Sequence, residues 1–149
     1  PSMRQLLDVF EQHGGPVLAV MRMPRQEIGR YGVIAARGLG RNVYEVQDLV
    51  EKPDPRDAPS DLAIVGRYVL TPDLFPILAE TAPDSRGEMQ LTNGLRALRG
   101  RRRVYAVAFE GKRHDTGEKL GFLKATVEFA LDRPDLSDRF RAYLKSLDL

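Results

Sequence analysis

The sequence predicts an α/β fold, a mixed β-sheet flanked by helices within a single domain spanning residues 1–149. Three observations predict it. Short apolar or β-branched segments alternate with amphipathic stretches at helical spacing. The strand-like segments also cluster early, with four in a row before the second helical stretch, which a pure βαβ wheel would not do. A chain of 149 residues, 42% hydrophobic and 30% charged, has the composition of an ordinary globular domain. At this size it can bury roughly 68–70% of its unfolded surface without staples.

Each element follows from its residues. Ser2 and Gln5 make a capping box, and Met3, Leu6, Leu7 and Phe10 follow at helical spacing until His13-Gly14-Gly15-Pro16 stops the helix. Val17 to Met23 reads as a buried strand, and the polar Pro24 to Arg30 as a loop. Tyr31 to Ala36 is a second strand that ends at a turn, Gly38-Leu39-Gly40. Val43 to Lys52 is a third, cut off by Pro53, with a loop from Pro53 to Asp61. Leu62 to Leu70 is almost continuously apolar, the pattern of a central strand buried on both faces. Thr71-Pro72 then caps a helix carrying Leu74, Phe75, Ile77 and Leu78. A Ser85/Glu88 capping box leads a helix from Glu88 to Leu98, ended by Gly100. Val104 to Phe109 is the fifth strand. Leu120, Leu123, Val127 and Leu131 mark a helix from about Gly117, and Leu136, Phe140, Tyr143, Leu144 and Leu147 a last one after Pro134.

Composition removes several function classes. With no cysteine, neither a disulfide framework nor a thiolate metal site is possible, and two distant histidines argue against zinc. Lys plus Arg number 23 and Asp plus Glu 21, so the net charge of +2 is not that of a polycation. No apolar run approaches the ~20 residues of a membrane span, and no signal peptide opens the chain, so the expectation is a cytoplasmic domain with no membrane or nucleic-acid partner. The opening Pro-Ser-Met, with Met third, is what a processed protein or a fragment would show. Phosphate loops of the Walker type, a dinucleotide fingerprint, a Ser-His-Asp set and a Gly-x-Ser-x-Gly elbow are all missing. The run Arg99, Arg101, Arg102 and Arg103 could meet nucleic-acid phosphates. No aromatic platform accompanies it, and a solvated turn after a helix C-terminus accounts for it better.

Two strings carry chemistry. In Val50-Glu51-Lys52-Pro53 a carboxylate suited to the hydroxyls of a sugar adjoins an ammonium suited to phosphate. Neighbours in a regular strand point to opposite faces, so the two can converge only where the strand ends, as Pro53 says it does. Two exposed residues at a strand end is the plainer alternative. In His114-Asp115-Thr116-Gly117, Asp115 stands between a strand and a helix. It could reach a metal ion, or cap the helix with Glu118 closing a capping box. His114 reads as a surface residue.

These strings belong to an ordered series: Tyr31-Gly32-Val33, Val50 to Pro53, Ala58 to Leu70, Gly87-Glu88-Met89-Gln90-Leu91-Thr92, and His114 to Phe122. The series resembles the C-terminal half of the bacterial UTP–glucose-1-phosphate uridylyltransferases, in register along essentially the whole chain. That resemblance implies the C-terminal part of a nucleotide-diphospho-sugar transferase fold. It also implies a cytoplasmic, homo-oligomeric enzyme that condenses UTP with α-D-glucose 1-phosphate to UDP-glucose and pyrophosphate, using Mg²⁺. By position, Glu51 resembles the residue that holds glucose hydroxyls, and Lys52 the catalytic residue that meets the sugar phosphate. Gly32 resembles the glycine whose backbone approaches the sugar. Tyr68 corresponds to a residue near the sugar phosphate, and Asp115 to a carboxylate on the magnesium. Two departures are visible. Asn93 stands where the family commonly has Asp. The family's glycine-rich, basic nucleotide loop and its other magnesium aspartate do not occur in this sequence, so the expectation is an inactive half-enzyme. A non-catalytic sugar-phosphate-binding or assembly module is the alternative.

Overall fold

Helix α1 (Ser2–His13) forms where the apolar spacing places it, but the buried stripe is Leu6 and Val9, while Met3 and Leu7 remain 38% and 40% exposed. The expected capping box is not made. Both ends of the Gln5 amide bond the backbone of Glu110, at 3.0 and 2.9 Å, which leaves nothing to reach back to Ser2. Gly14, at φ +69°, closes the helix with its N–H on the Phe10 carbonyl at 2.7 Å.

The structure is a computed structural model and describes residues 2–84 and 87–147. The chain divides into two compact units, Pro1–Gly111 and Lys112–Leu149. In the first, five strands follow: β1 (Val17–Arg22), β2 (Gly32–Gly40), β3 (Val43–Glu51), β4 (Leu62–Val69) and β5 (Tyr105–Ala108). They are ordered β1-β4-β2-β3-β5 and close on themselves, because β5 pairs with both β3 and β1. The sheet is mixed, as expected, since β1 and β5 run parallel and every other pair is antiparallel. A single turn of 3₁₀ helix, Ile28–Arg30, interrupts the loop expected before β2 and buries Ile28.

Two expectations are corrected here. The β2–β3 hairpin turns at Arg41-Asn42 rather than at Gly38-Leu39-Gly40, and both turn residues take positive φ, +47° and +62°. That is the two-residue turn whose twist matches the strands, and the glycines before it sit at register shifts inside β2. Strand β4 lies between β1 and β2, but only Leu62, Ala63 and Ile64 are buried. Leu18 pairs with Tyr68 and Val20 with Ile64, so the β4 residues between bulge out, with Gly66 at φ +70°. Bulges re-aim the side chains that follow, and here Tyr68 turns onto the core.

Helices α2 (Leu74–Glu80) and α3 (Leu91–Arg99) cover the sheet, and Leu74, Ile77, Leu95 and Leu98 share one buried cluster with Leu18, Ile34 and Leu49. Asp73, not Thr71, occupies the N-cap of α2, without a side-chain cap bond. Ser85, half of the second expected capping box, lies outside the described residues. Helix α3 starts three residues later than expected, because the backbone of Glu88 is already paired with Asp84: its carbonyl accepts from Asp84 N and its N–H donates to Asp84 Oδ1.

The second unit consists of α4 (Lys119–Asp132) and α5 (Ser137–Ser146), joined by a turn in which the N–H groups of Leu136 and Ser137 both donate to the Arg133 carbonyl. Phe140 and Tyr143 stack at 6.4 Å between ring centroids along α5. Among the described residues, no helix is long and apolar enough to cross a membrane.

Candidate functional site

The open end of the β2–β3 ladder is where the predicted residues meet. Gly32 and Glu51 are its last Cα partners, and Lys52 N extends the pairing by donating to the Tyr31 carbonyl at 3.0 Å. Strand alternation would then send Lys52 away from Glu51. It does not, because Lys52 adopts φ +45°, the left-handed conformation that a residue with a Cβ takes only at a cost. The twist brings Lys52 Nζ to 3.9 Å from Glu51 Oε1. Local strain of this kind persists where the surroundings impose it and concentrates at functional sites.

The other carboxylate oxygen, Glu51 Oε2, accepts a 2.7 Å hydrogen bond from Thr92 Oγ1 at the start of α3. Gly32 makes this possible. A Cβ there would lie 3.0 Å from Glu51 Oε2, 3.1 Å from Thr92 Oγ1 and 3.2 Å from Ile64 Cδ1. Glu51 and Lys52 open onto a cleft of about 380 Å³, lined also by Leu49, Val50, Asp84, Gln90, Asn93 and Arg96. Arg96 is held by a bidentate pair with Asp48, at 2.6 and 2.7 Å. Burial alone would raise the Asp48 carboxyl; hydrogen bonds from Arg96 and from Leu49 N outweigh it and hold the group below its usual range. Burial pushes the Tyr68 phenol up, and the nearby charge of Glu51 adds to the shift, so Tyr68 is a neutral neighbour of the carboxylate. The structure thus brings Gly32, Glu51 and Lys52 together, with Tyr68 packed on the core near enough to feel the Glu51 charge but outside the cleft lining.

Sequence reasoning gave no role to Thr92, Asp48 or Arg96, and none to Asn93 beyond its departure from the family's common Asp. One signal was available. Thr92 stands three residues before Leu95 on the apolar stripe of α3, so its hydroxyl had to be buried and had to find a partner.

Asp115 lies in the second unit, 55% exposed, before α4. The capping role expected of it belongs instead to Glu118, whose carboxylate accepts from Gly121 N at 3.3 Å. Asp115 Oδ1 accepts from Gly117 N at 3.2 Å, and Oδ2 from Arg113 at 3.1 Å. His114, read from the sequence as a surface residue, is half-buried and packs on Phe129 at 5.1 Å between centroids. The Asp115 carbonyl presses against Gly121 so closely that a Cβ there would collide with it. Alanine normally favours a helix over glycine by ~1 kcal/mol; overpacking costs about 1–3 kcal/mol. Gly121→Ala is therefore expected to destabilise the loop, read as faster hydrogen exchange from Asp115 to Phe122.

Among the described residues, no three His, Cys, Asp or Glu side chains are grouped to hold a metal by themselves. Asp115 fits a narrower role. Mg²⁺ takes one or two carboxylates and fills its remaining positions with water and substrate phosphate, so one accessible carboxylate suffices as the contribution of this segment. The arginine run is largely tied to acids: Arg102 to Asp73 at 3.0 Å, Arg103 to Glu45 at 3.9 Å and Arg101 to Glu80 at 4.0 Å. That is the solvated turn expected of it.

Comparison with known proteins bears on the family and the fold. A UTP–glucose-1-phosphate uridylyltransferase of Streptococcus pneumoniae is 45% identical over 148 residues, covering 99% of this chain and 50% of that protein. A crystal structure of UDP-glucose pyrophosphorylase complexed with UDP-glucose superposes with a TM-score of 0.83 at 39% identity, covering 89% of this chain and 50% of that one. A UTP-bound enzyme from Acinetobacter baumannii gives 0.87 at 28% identity, covering 99% of this chain and 50% of the other. The chain spans about half the length of these relatives. The nucleotidyl transferase family matches residues 2–131, a stretch that contains every residue of the cleft and Asp115 as well. With the family match over residues 2–131 and the fold in agreement, this chain belongs to the nucleotidyl transferase family.

Proposed function

We propose that this chain is the sugar-phosphate half of a UTP–glucose-1-phosphate uridylyltransferase. The observation that carries the reading is the convergence of Glu51 and Lys52 on one cleft, achieved through the left-handed backbone of Lys52. Glu51 Oε1 accepts glucose hydroxyls, Gly32 leaves room for the Glu51 carboxylate to sit against its backbone, Lys52 meets the sugar phosphate, and Tyr68 stands near Glu51. A phosphate oxygen of glucose 1-phosphate then forms a bond to the α-phosphorus of UTP as the bond from that phosphorus to the β-phosphate oxygen breaks and pyrophosphate departs. In such a transfer the protein chiefly positions the reactants and offsets charge, which is what a carboxylate and an ammonium on a fixed strand end can do. Asp115 would supply one oxygen to a Mg²⁺ otherwise held by phosphates and water. Uridine recognition falls to the half of the relatives that this chain does not match.

The test is UTP-dependent formation of UDP-glucose by this chain alone and by the same chain joined to the missing half of a relative. Product is expected only from the joined protein. A joined, folded protein that binds glucose 1-phosphate without turnover would favour the non-catalytic module instead.

A further inference from the structure

We propose that Thr92 is a positioning residue that aims the Glu51 carboxylate, holding Oε2 so that Oε1 alone faces Lys52 and the cleft. This rests on the reading of Glu51 as the sugar-binding carboxylate. A glutamate side chain has three rotatable bonds, and a carboxylate that must receive hydroxyls in one geometry gains affinity if its own freedom is removed beforehand. Two groups remove it here: the bare backbone of Gly32, against which Glu51 Oε2 lies, and the Thr92 hydroxyl. Of the two, Thr92 is the one that donates a hydrogen bond to the carboxylate. At 2.7 Å from Oε2 it is a short, charge-assisted bond, and Thr92 is only 6% exposed, so water competes poorly for it.

The other helical contacts of threonine in this chain show that the bond is not a default. The hydroxyls of Thr81 and Thr126 donate to the carbonyl four residues back, Ile77 at 2.8 Å and Phe122 at 2.9 Å. For Thr92 that carbonyl belongs to Glu88, and it accepts from Asp84 N instead. The Thr92 hydroxyl therefore reaches across 41 residues of sequence to the strand end. It leaves Oε1 and Lys52 Nζ side by side, 3.9 Å apart, an acceptor for a ligand hydroxyl next to a donor for a phosphate oxygen.

The experiment compares the chain with Thr92→Val, which keeps shape and loses the donor, and Thr92→Ser, which keeps the donor. Two quantities are read: the side-chain carboxyl ¹³C resonance of Glu51, and glucose 1-phosphate binding by NMR titration. Thr92→Val is expected to move the Glu51 resonance and weaken binding about tenfold, with Thr92→Ser close to the parent in both. Thr92→Ala serves as the second hydroxyl deletion if valine does not fold. An unchanged Glu51 resonance and affinity on losing the hydroxyl overturns the proposal, as does a serine variant no better than valine. If the parent itself fails to bind glucose 1-phosphate while the resonance still responds to valine and not to serine, the sugar-phosphate reading falls and the positioning role stands.

Discussion

Lys52→Ala, placed in a protein that carries both halves of the enzyme, is expected to lower UDP-glucose formation about 10²- to 10³-fold, the usual consequence of deleting one preorganised partner of a developing charge. The reactants are both anionic, and Lys52 is the cation closest to Glu51 in the cleft wall. The loss should fall on kcat/KM for glucose 1-phosphate more than on KM for UTP. Lys52→Gly provides the internal control. Residue 52 sits at φ +45°, where glycine is free of the ~1–2 kcal/mol that a Cβ costs in this region. The glycine variant should be the more stable of the two and equally inactive. Equal activity of Lys52→Ala and the parent, measured as UDP-glucose formed at saturating UTP, would remove Lys52 from the chemistry.

That left-handed residue marks the boundary of what the sequence made legible. Among the described residues amphipathic spacing located every α-helix, and Pro53 announced the end of β3, because periodicity and proline act locally. The convergence of Glu51 and Lys52 was foreseeable as a condition but not as a fact, since lysine carries no signal for positive φ. The β2–β3 turn shows the same limit. Gly38 and Gly40 looked like turn residues, yet the chain placed the turn on Arg41-Asn42 and used the glycines where the strand register shifts. Closure of the sheet rests on the parallel pairing of Val17 with Tyr105, a non-local contact invisible to any window of sequence. The Glu51–Thr92 bond spans 41 residues and is hidden for the same reason, although the apolar face of α3 hinted that Thr92 was buried. Gln5 failed as a capping residue because a distant backbone, that of Glu110, outcompeted its own helix terminus.

Asp115→Asn is expected to separate charge from shape in the second unit. The helix itself does not depend on Asp115, since Glu118 is its cap. What Asp115 holds locally is the Gly117 N–H and the Arg113 guanidinium. An asparagine oxygen can accept from Gly117 N as the carboxylate does, so only the ion pair is lost. That pair is partly exposed, with Asp115 at 55% and Arg113 at 28%, and pairs in such settings contribute about 0.2–1 kcal/mol. Thermal stability should therefore shift by no more than about 1 kcal/mol. Turnover should respond very differently if Asp115 contributes to the magnesium site. Residues that merely support metal ligands cost roughly 10- to 100-fold when mutated, so loss of a ligating charge should cost at least about 100-fold, with partial recovery at high Mg²⁺. Both quantities can be measured on one preparation of the joined protein, as a melting curve and as UDP-glucose formed across a Mg²⁺ titration. Arg113→Ala sharpens the comparison, because it breaks the same ion pair while leaving the carboxylate free. If Asp115 serves the metal, Arg113→Ala should match Asp115→Asn in stability and keep its Mg²⁺ dependence, whereas near-normal turnover of Asp115→Asn at ordinary Mg²⁺ would leave Asp115 as a loop residue whose work ends at Gly117 and Arg113.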